Sequence, residues 1–354
     1  MTIQMSEAEE KVKNFIGNIT QFVTLSEPQT YKNLTIIPLI LKDDLLDFIT
    51  IKEAEEAEIG YIQEMESEQV ANLQAVNQGT TPILIPYMQV VKGGKQDRTI
   101  YEPILVAGGT TIAIPSKCIE RSRWTYQSAY DSGTKRFHTS AQKMNYSLHA
   151  KTIRASYSMK SAQSEMWDGI EQMSSRMGLA AASAPTRSGI TIQETQKQNI
   201  DDYLPHFQLA ANQAGIIGLV NNQVIALELY GNPIALKIFW KDIMNSFVME
   251  AILRAPDAKD IPPLKREEIH EKALQSFENY AMQYKVRNGV SLGTIIEFAD
   301  PNLIWAGIAL VHENKFAHFY VVGKSVFPEE QIQVRQMQAT RLQRQINRAE
   351  QRID

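Results

Sequence analysis

Cysteine is nearly absent: Cys118 is the only one in 354 residues. A chain with one cysteine forms no internal disulfide and no cysteine-built zinc site, and this usage fits a reducing cytoplasm. Long apolar runs are missing as well. None approaches the ~20 residues that cross a bilayer, so no membrane partner is expected. The 6 histidines are scattered without an H-x-x-x-H pair, so no metal site is expected. Charge of one sign is also lacking, with 36 Lys and Arg against 40 Asp and Glu, a net of −4. That balance gives no reason to expect nucleic acid or an anionic membrane as partner. The opening MTIQMSEAEEKVKN is acidic and polar, unlike a secretory signal. The remaining composition is globular, 44% hydrophobic and 21% charged, enough for one large or two ordinary domains.

Hydrophobic periodicity then gives the elements. Val12, Phe15, Ile16, Ile19, Phe22 and Val23 recur at helical spacing and predict an amphipathic helix over about 7–24, within an arm of residues 1–30. Apolar runs at Leu34–Leu41, Ile59–Met65, Val70–Val76, Ile83–Val91, Arg98–Ala107 and Thr111–Ile114 read as strands separated by Gly, Asn and Pro turns. In the second of these, a half-buried strand, Ile59, Tyr61 and Met65 share one face and Glu64 faces away from that set. Residues 130–154 are polar and support no assignment. Met159, Ala162, Met166, Ile170, Met173 and Met177 mark a helix, and the methionines read as core filling. Thr191 and Glu194 cap a further helix. Gly215–Val220 and Val224–Tyr230 form a hairpin about Asn221-Asn222-Gln223, and Asn232-Pro233 starts a long helix. Another helix is expected over 265–284, then strands Val290–Phe298, Ile304–His312 and Phe316–Val322. His312 and His318 flank the last turn and read as structural or surface groups. From Pro328, Ile332, Ala339, Ile346 and Ile353 repeat every seven residues, predicting a terminal heptad helix over 328–354 that favours a homo-oligomer.

These elements predict an α+β fold. Its core is an antiparallel β-sheet or sandwich in a single domain over 31–327, with a helical insertion over about 155–212.

The stretch from Ile83 to Trp124 concentrates the chemistry. One strand leads into Gly93-Gly94-Lys95-Gln96-Asp97-Arg98, and a second into Lys117-Cys118-Ile119-Glu120-Arg121-Ser122-Arg123-Trp124. Read as a site, this is anion recognition. Gly93 and Gly94 let backbone amides approach a phosphate, and Lys95, Arg98, Arg121 and Arg123 supply charge. Gln96 is placed to read a ribose or base, Trp124 to stack on a ring, and Glu64 and Glu120 to act as general base and acid. Read as structure, the same residues form a salt-bridge network tying two strand ends together, with Asp97 and Glu120 paired to Arg98 and Arg123 and a glycine turn between. Cys118, after an apolar strand with no histidine near in sequence, is expected to be a small buried hydrophobe.

The paired motifs GGKQDR and CIERSRW, in that order, resemble the ARG and rhodanese-phosphatase-superfamily-associated protein domain. The resemblance extends to Val76-Asn77-Gln78-Gly79, to Gln163 and Trp167, to Gly218–Tyr230 with Glu228, to Trp240 and Ser246, and to the closing Trp305–Tyr320 segment. It covers roughly Leu34 to Val322. Two arginines, Arg121 and Arg123, compete for one position of the second motif, and the one next to Trp124 fits better. The resemblance implies an association with NAD or ADP-ribose metabolism, and names no mechanism or cofactor. The functional expectation is therefore a phosphorylated nucleotide-like ligand at the charged cluster. The alternative is a non-catalytic homo-oligomeric assembly protein.

Overall fold

A computed structural model describes residues 3–42, 45–67, 71–120, 135–155, 161–178, 189–257, 262–278 and 280–325. The expected heptad helix, Arg121, Arg123 and Trp124 lie outside these.

The spine is a nine-stranded antiparallel sheet. Its order is Val23–Leu25, Leu34–Leu41, Gln213–Val220, Gln223–Tyr230, Lys315–Val322, Ala306–His312, Thr294–Ala299 and Gln283–Asn288, and Gln29–Tyr31 also pairs with Leu34–Leu41. Its central strands are apolar on both faces because both faces are covered. Ile37, Leu39, Ile217 and Leu227 enter one core layer, while Leu34, Ile36, Ile216 and Ala226 enter the other. The central hairpin turns on Asn221 and Asn222, both left-handed at φ 52° and 60°, the geometry that suits asparagine.

Helices Ile3–Gly17 and Arg266–Glu278 cover the first face, burying Val12, Phe15, Ile16, Ile269, Ala273 and Phe277. The ring of Phe15 lies 5.1 Å from Phe316 and 4.6 Å from Phe319. The first helix is shorter than its periodicity predicts. It yields at Gly17 to a short turn, and Val23–Leu25 then pairs with Leu39–Leu41 as a strand. On the opposite face lies helix Pro233–Arg254, started by the Asn232 side chain, which accepts from the Ile234 amide.

The second half of the architecture is a closed antiparallel barrel. Its strands run in the order Thr110–Cys118, Asn72–Asn77, Gly60–Gln63, Arg136–Lys143, Gln89–Gly93 and Arg98–Ile100. The runs expected as single strands over 83–91 and 98–107 each divide. Pro86 and a left-handed Met88 (φ 60°) interrupt the first, and Pro103 the second. The severed pieces, Ile83–Ile85 and Ile104–Val106, pair with each other in a three-stranded sheet beside the barrel, completed by Ile49–Thr50.

Residues 130–154, unassigned from sequence, include barrel strand Arg136–Lys143 and helix Tyr146–Ala155. Helices Ala162–Arg176, Gly189–Thr195 and Lys197–Tyr203 follow, and Met166, Ile170 and Met173 are core residues. The helix expected to reach residue 284 stops at Glu278, and Gln283–Asn288 forms the edge strand instead.

Candidate functional site at the barrel end

Antiparallel register gathers the charged cluster. Cys118 lies opposite Arg98, and Arg98 opposite Val91, so neighbouring strands put these side chains on one face of the barrel wall. Arg98 is fully buried. Its Nη1 donates to Cys118 Sγ at 3.1 Å, and the Cys118 thiol donates to Gln96 Oε1 at 3.0 Å. Gln96 Nε2 donates in turn to the Glu120 carbonyl at 3.0 Å, and the Asp97 amide donates to Glu120 Oε2 at 3.4 Å. Cys118 is therefore not the plain apolar packer expected from sequence, because its sulfur sits in a polar chain. Burial pushes its pKa up, with Arg98 and Lys117 opposing and Glu64 and Glu120 adding, which keeps it a protonated thiol and a poor nucleophile. Gln163 of the methionine helix clamps the same residue. Its Oε1 accepts from the Cys118 amide at 2.9 Å and its Nε2 donates to the Cys118 carbonyl at 2.7 Å.

Glu64 lies on the face opposite Tyr61 and Met65, as the alternation predicts, and it is this opposite face that is buried. The buried side of its segment is Gly60, Ile62 and Glu64, while Tyr61 and Met65 are half-exposed. One carboxylate oxygen, Oε1, accepts from the Lys95 amide at 3.2 Å. The other, Oε2, is buried with no hydrogen-bond partner among the described residues. The glycine pair makes this approach possible. Gly93 and Gly94 have φ of 124° and 54°, and a Cβ on Gly94 would stand 2.4 Å from the Phe137 ring and 2.6 Å from Glu64 Oε1. The amides of this turn are engaged by carboxylates, since the Gly93 amide donates to Asp97 Oδ1 at 3.2 Å. The structure thus brings Glu64, Gly93, Gly94, Lys95, Gln96, Arg98 and Glu120 to one end of the barrel.

Sequence reasoning missed a second polar centre, buried between the barrel, the large sheet and helix Tyr146–Ala155. Glu228 is fully buried and accepts from Lys143 Nζ at 2.5 Å, Tyr230 OH at 2.5 Å, Tyr146 OH at 3.1 Å and His318 Nε2 at 3.1 Å. Burial alone would raise its pKa, but Lys143 and His318 overcome this and hold it well below the carboxylate range. Burial lowers Lys143, against the pull of Glu228. His149, whose Nδ1 lies 2.5 Å from Tyr320 OH, is pushed well below its ordinary value by burial and by Lys143. His318 is lowered chiefly by burial, with Glu228 opposing. His312 has no part in this centre; it stands at the rim, 3.8 Å from Glu313. A neighbouring carboxylate, Glu250, accepts from Asn145, the Ser147 amide and hydroxyl, and Arg254. Periodicity could not find this centre, because Lys143 and His149 sit in a polar stretch that reads as surface.

Several motif residues hold neighbouring segments together. Gln163 supports Cys118, the Ser246 hydroxyl donates to the Met144 carbonyl at 2.7 Å, and Asn77 Nδ2 ties the Thr81 and Val106 carbonyls together at 2.9 Å and 3.1 Å. Among the described residues no group of three His, Cys, Asp or Glu is placed to hold a metal, and no helix is long and apolar enough to cross a membrane. Comparison with curated proteins and with solved structures gives no match. The sequence profile of one family does match, over residues 22–322, and takes in the barrel, the nine-stranded sheet and both polar centres. The chain belongs to the ARG and Rhodanese-Phosphatase-superfamily-associated Protein domain family.

Proposed function

We propose that the barrel end binds or processes a phosphorylated nucleotide-like ligand of the NAD or ADP-ribose class. The observation that carries this reading is Glu64 Oε2, a buried carboxylate oxygen with no partner among the described residues, at the place where Arg98, Gln96 and Glu120 converge. A buried acceptor left unmet costs ~1–3 kcal/mol, which a ligand hydroxyl would recover. In this reading Glu64 accepts a ribose hydroxyl or acts as general base, Arg98 holds the anion, Gln96 reads the sugar or base, and Glu120 is the second acid. Arg123 and Trp124, next along the chain, would add charge and a stacking surface. The family's name, with its link to ADP-ribosylglycohydrolases and phosphatase-like proteins, supports the ligand class by association only.

A second reading has its own support. The Gly93 and Lys95 amides already donate to Asp97 and Glu64, as a closed network would require, and a homo-oligomeric assembly protein could use such a network to fix its barrel.

A thermal-shift titration with ADP-ribose and NAD separates the two. A ligand at about 100 times its dissociation constant should stabilise by ~2.7 kcal/mol. That shift should disappear in Arg98→Ala and in Glu64→Gln, the latter a near-isosteric change made in case the former does not fold. If neither compound shifts the wild-type melt, while Glu64→Gln melts lower than wild type, the cluster is a structural network.

A further inference from the structure

A cavity lies on the outside of the barrel wall. Side chains alternate along Gln89–Gly93 and Arg136–Lys143, so Val91 and Phe137 are buried while Lys92 and His138, opposite each other in the ladder, look outward. Helices Gly189–Thr195, Lys197–Tyr203 and Pro233–Arg254 close around that outer face and leave a cavity of about 390 Å³. This volume is in the range of small-ligand sites.

Three features define what fits it. Gln193, only 1% exposed, lines the cavity. Its Nε2 donates to the Lys143 carbonyl at 2.8 Å, which fixes the orientation of the amide, and its Oε1 has no partner among the described residues. A buried amide oxygen in that position calls for an N–H or O–H donor. Charge comes next. Lys92 pairs with Glu194 at 3.2 Å and Lys197 pairs with Asp201, whereas Lys241 has no acidic partner among the described residues. It leaves one cation for an incoming anion. Finally, Ile200 and Leu204 provide an apolar wall.

We infer that this cavity is a nucleoside monophosphate site, separate from the barrel end. The amino-bearing ring lies against Ile200 and Leu204 and donates to Gln193 Oε1, and the phosphate meets Lys241. The contact between Gln193 and the Lys143 carbonyl places the occupant one residue from the buried Lys143–Glu228 pair.

The test is a calorimetric titration of the full chain with AMP, with adenosine, and with purine riboside 5′-monophosphate, which lacks the amino group. AMP should bind, and each of the other two should bind about tenfold more weakly, as expected for loss of one hydrogen bond to a charged or buried group. Lys241→Glu, a change at an exposed position, should weaken AMP by about tenfold or more, while Lys237→Glu, exposed one turn earlier on the same helix and outside the cavity lining, leaves it unchanged. Absence of any AMP heat at millimolar concentration overturns the assignment. So does AMP binding that Glu64→Gln abolishes and Lys241→Glu spares. That second result would place the nucleotide at the barrel end and uphold the reading proposed there.

Discussion

Replacing Lys143 by methionine tests whether the Lys143–Glu228 pair is ionised and supports the fold. Methionine keeps most of the volume and removes the cation, leaving Glu228 buried with donors from Tyr146, Tyr230 and His318. Breaking one side of a buried pair costs ~3–5 kcal/mol, and the three surviving hydrogen bonds favour the lower end. At ~2.1 cal/mol/K per residue over roughly 300 residues, ~0.6 kcal/mol corresponds to one degree, so the melting temperature should fall by about 5–8 °C near pH 7.5. The pH dependence should change as well. In the wild type His149 and His318 are depressed by burial, so below about pH 6.5 the unfolded chain takes up protons that the folded chain refuses, and stability is lost as pH falls. With Lys143 gone, His318 becomes the cation nearest Glu228 and its folded-state pKa rises. A raised histidine contributes stability below its unfolded value of about 6.5 and loses it as pH rises through the folded value. The gap between wild type and Lys143→Met should therefore narrow from about pH 8 to about pH 6. Thermal melts across that range read both effects. A fall of less than about 2 °C, or a gap that stays constant with pH, refutes an ionised and stabilising pair. Adding Glu228→Gln to Lys143→Met should recover part of the loss, because it removes the uncompensated charge.

Other expectations follow from single contacts. Gly94→Ala places a methyl group against Phe137 and Glu64 on a backbone at φ 54°, and should cost about 1–2 kcal/mol or more in urea unfolding. Gln163→Ala removes both clamps on the Cys118 backbone. Cys118 should then react faster with a thiol reagent than the buried, protonated thiol of the wild type, and an unchanged rate would show that the clamp does not control access. Asn232→Ala deletes the cap of the long helix and should cost ~1 kcal/mol, read by the same unfolding assay. Below about pH 4.5 the wild type should lose further stability, because Glu228 must take up a proton that its depressed pKa resists. An acid limb that ends above that pH would contradict this.

The sheet was largely legible because its strands carry their own signal. Leu34–Leu41, the Asn221-Asn222 hairpin and the Asn232-Pro233 start combine a clear apolar run with explicit turn or cap chemistry. Closure of the barrel was not legible. It depends on pairings such as Arg136–Gln63 and Cys118–Arg98, between segments whose side chains alternate only weakly. The alternation of Glu64 against Tyr61 and Met65 was legible, but not which face is buried, because each face carries apolar side chains and only the closed barrel turns Ile62 and Glu64 inward. Of the candidate site, GGKQDR and CIER were recognisable as an unusual concentration of charge. The Lys143–Glu228 centre was not, because a buried lysine is rare and local pattern assigns it to the surface.

The two halves of the architecture are written differently along the chain. Every barrel strand comes from one continuous segment between Gly60 and Lys143, so its longest-range pairing, Phe137 with Ile62, spans 75 residues, against 180 between Ile37 and Ile217 in the large sheet. The large sheet is discontinuous. Leu34–Leu41 emerges early from the ribosome, and its principal partner, Gln213–Val220, is made only after the barrel and the inserted helices. Until then one of the most apolar strands in the chain has an open hydrogen-bonding edge, and the closure entropy of a long loop must be met before pairing stabilises it. The barrel is thus the part suited to form during synthesis, and the sheet the part that waits. Nascent chains arrested once residue 143 has cleared the ribosomal exit tunnel should already protect the barrel strands from proteolysis while leaving residues 34–41 open to cleavage and to capture by chaperones.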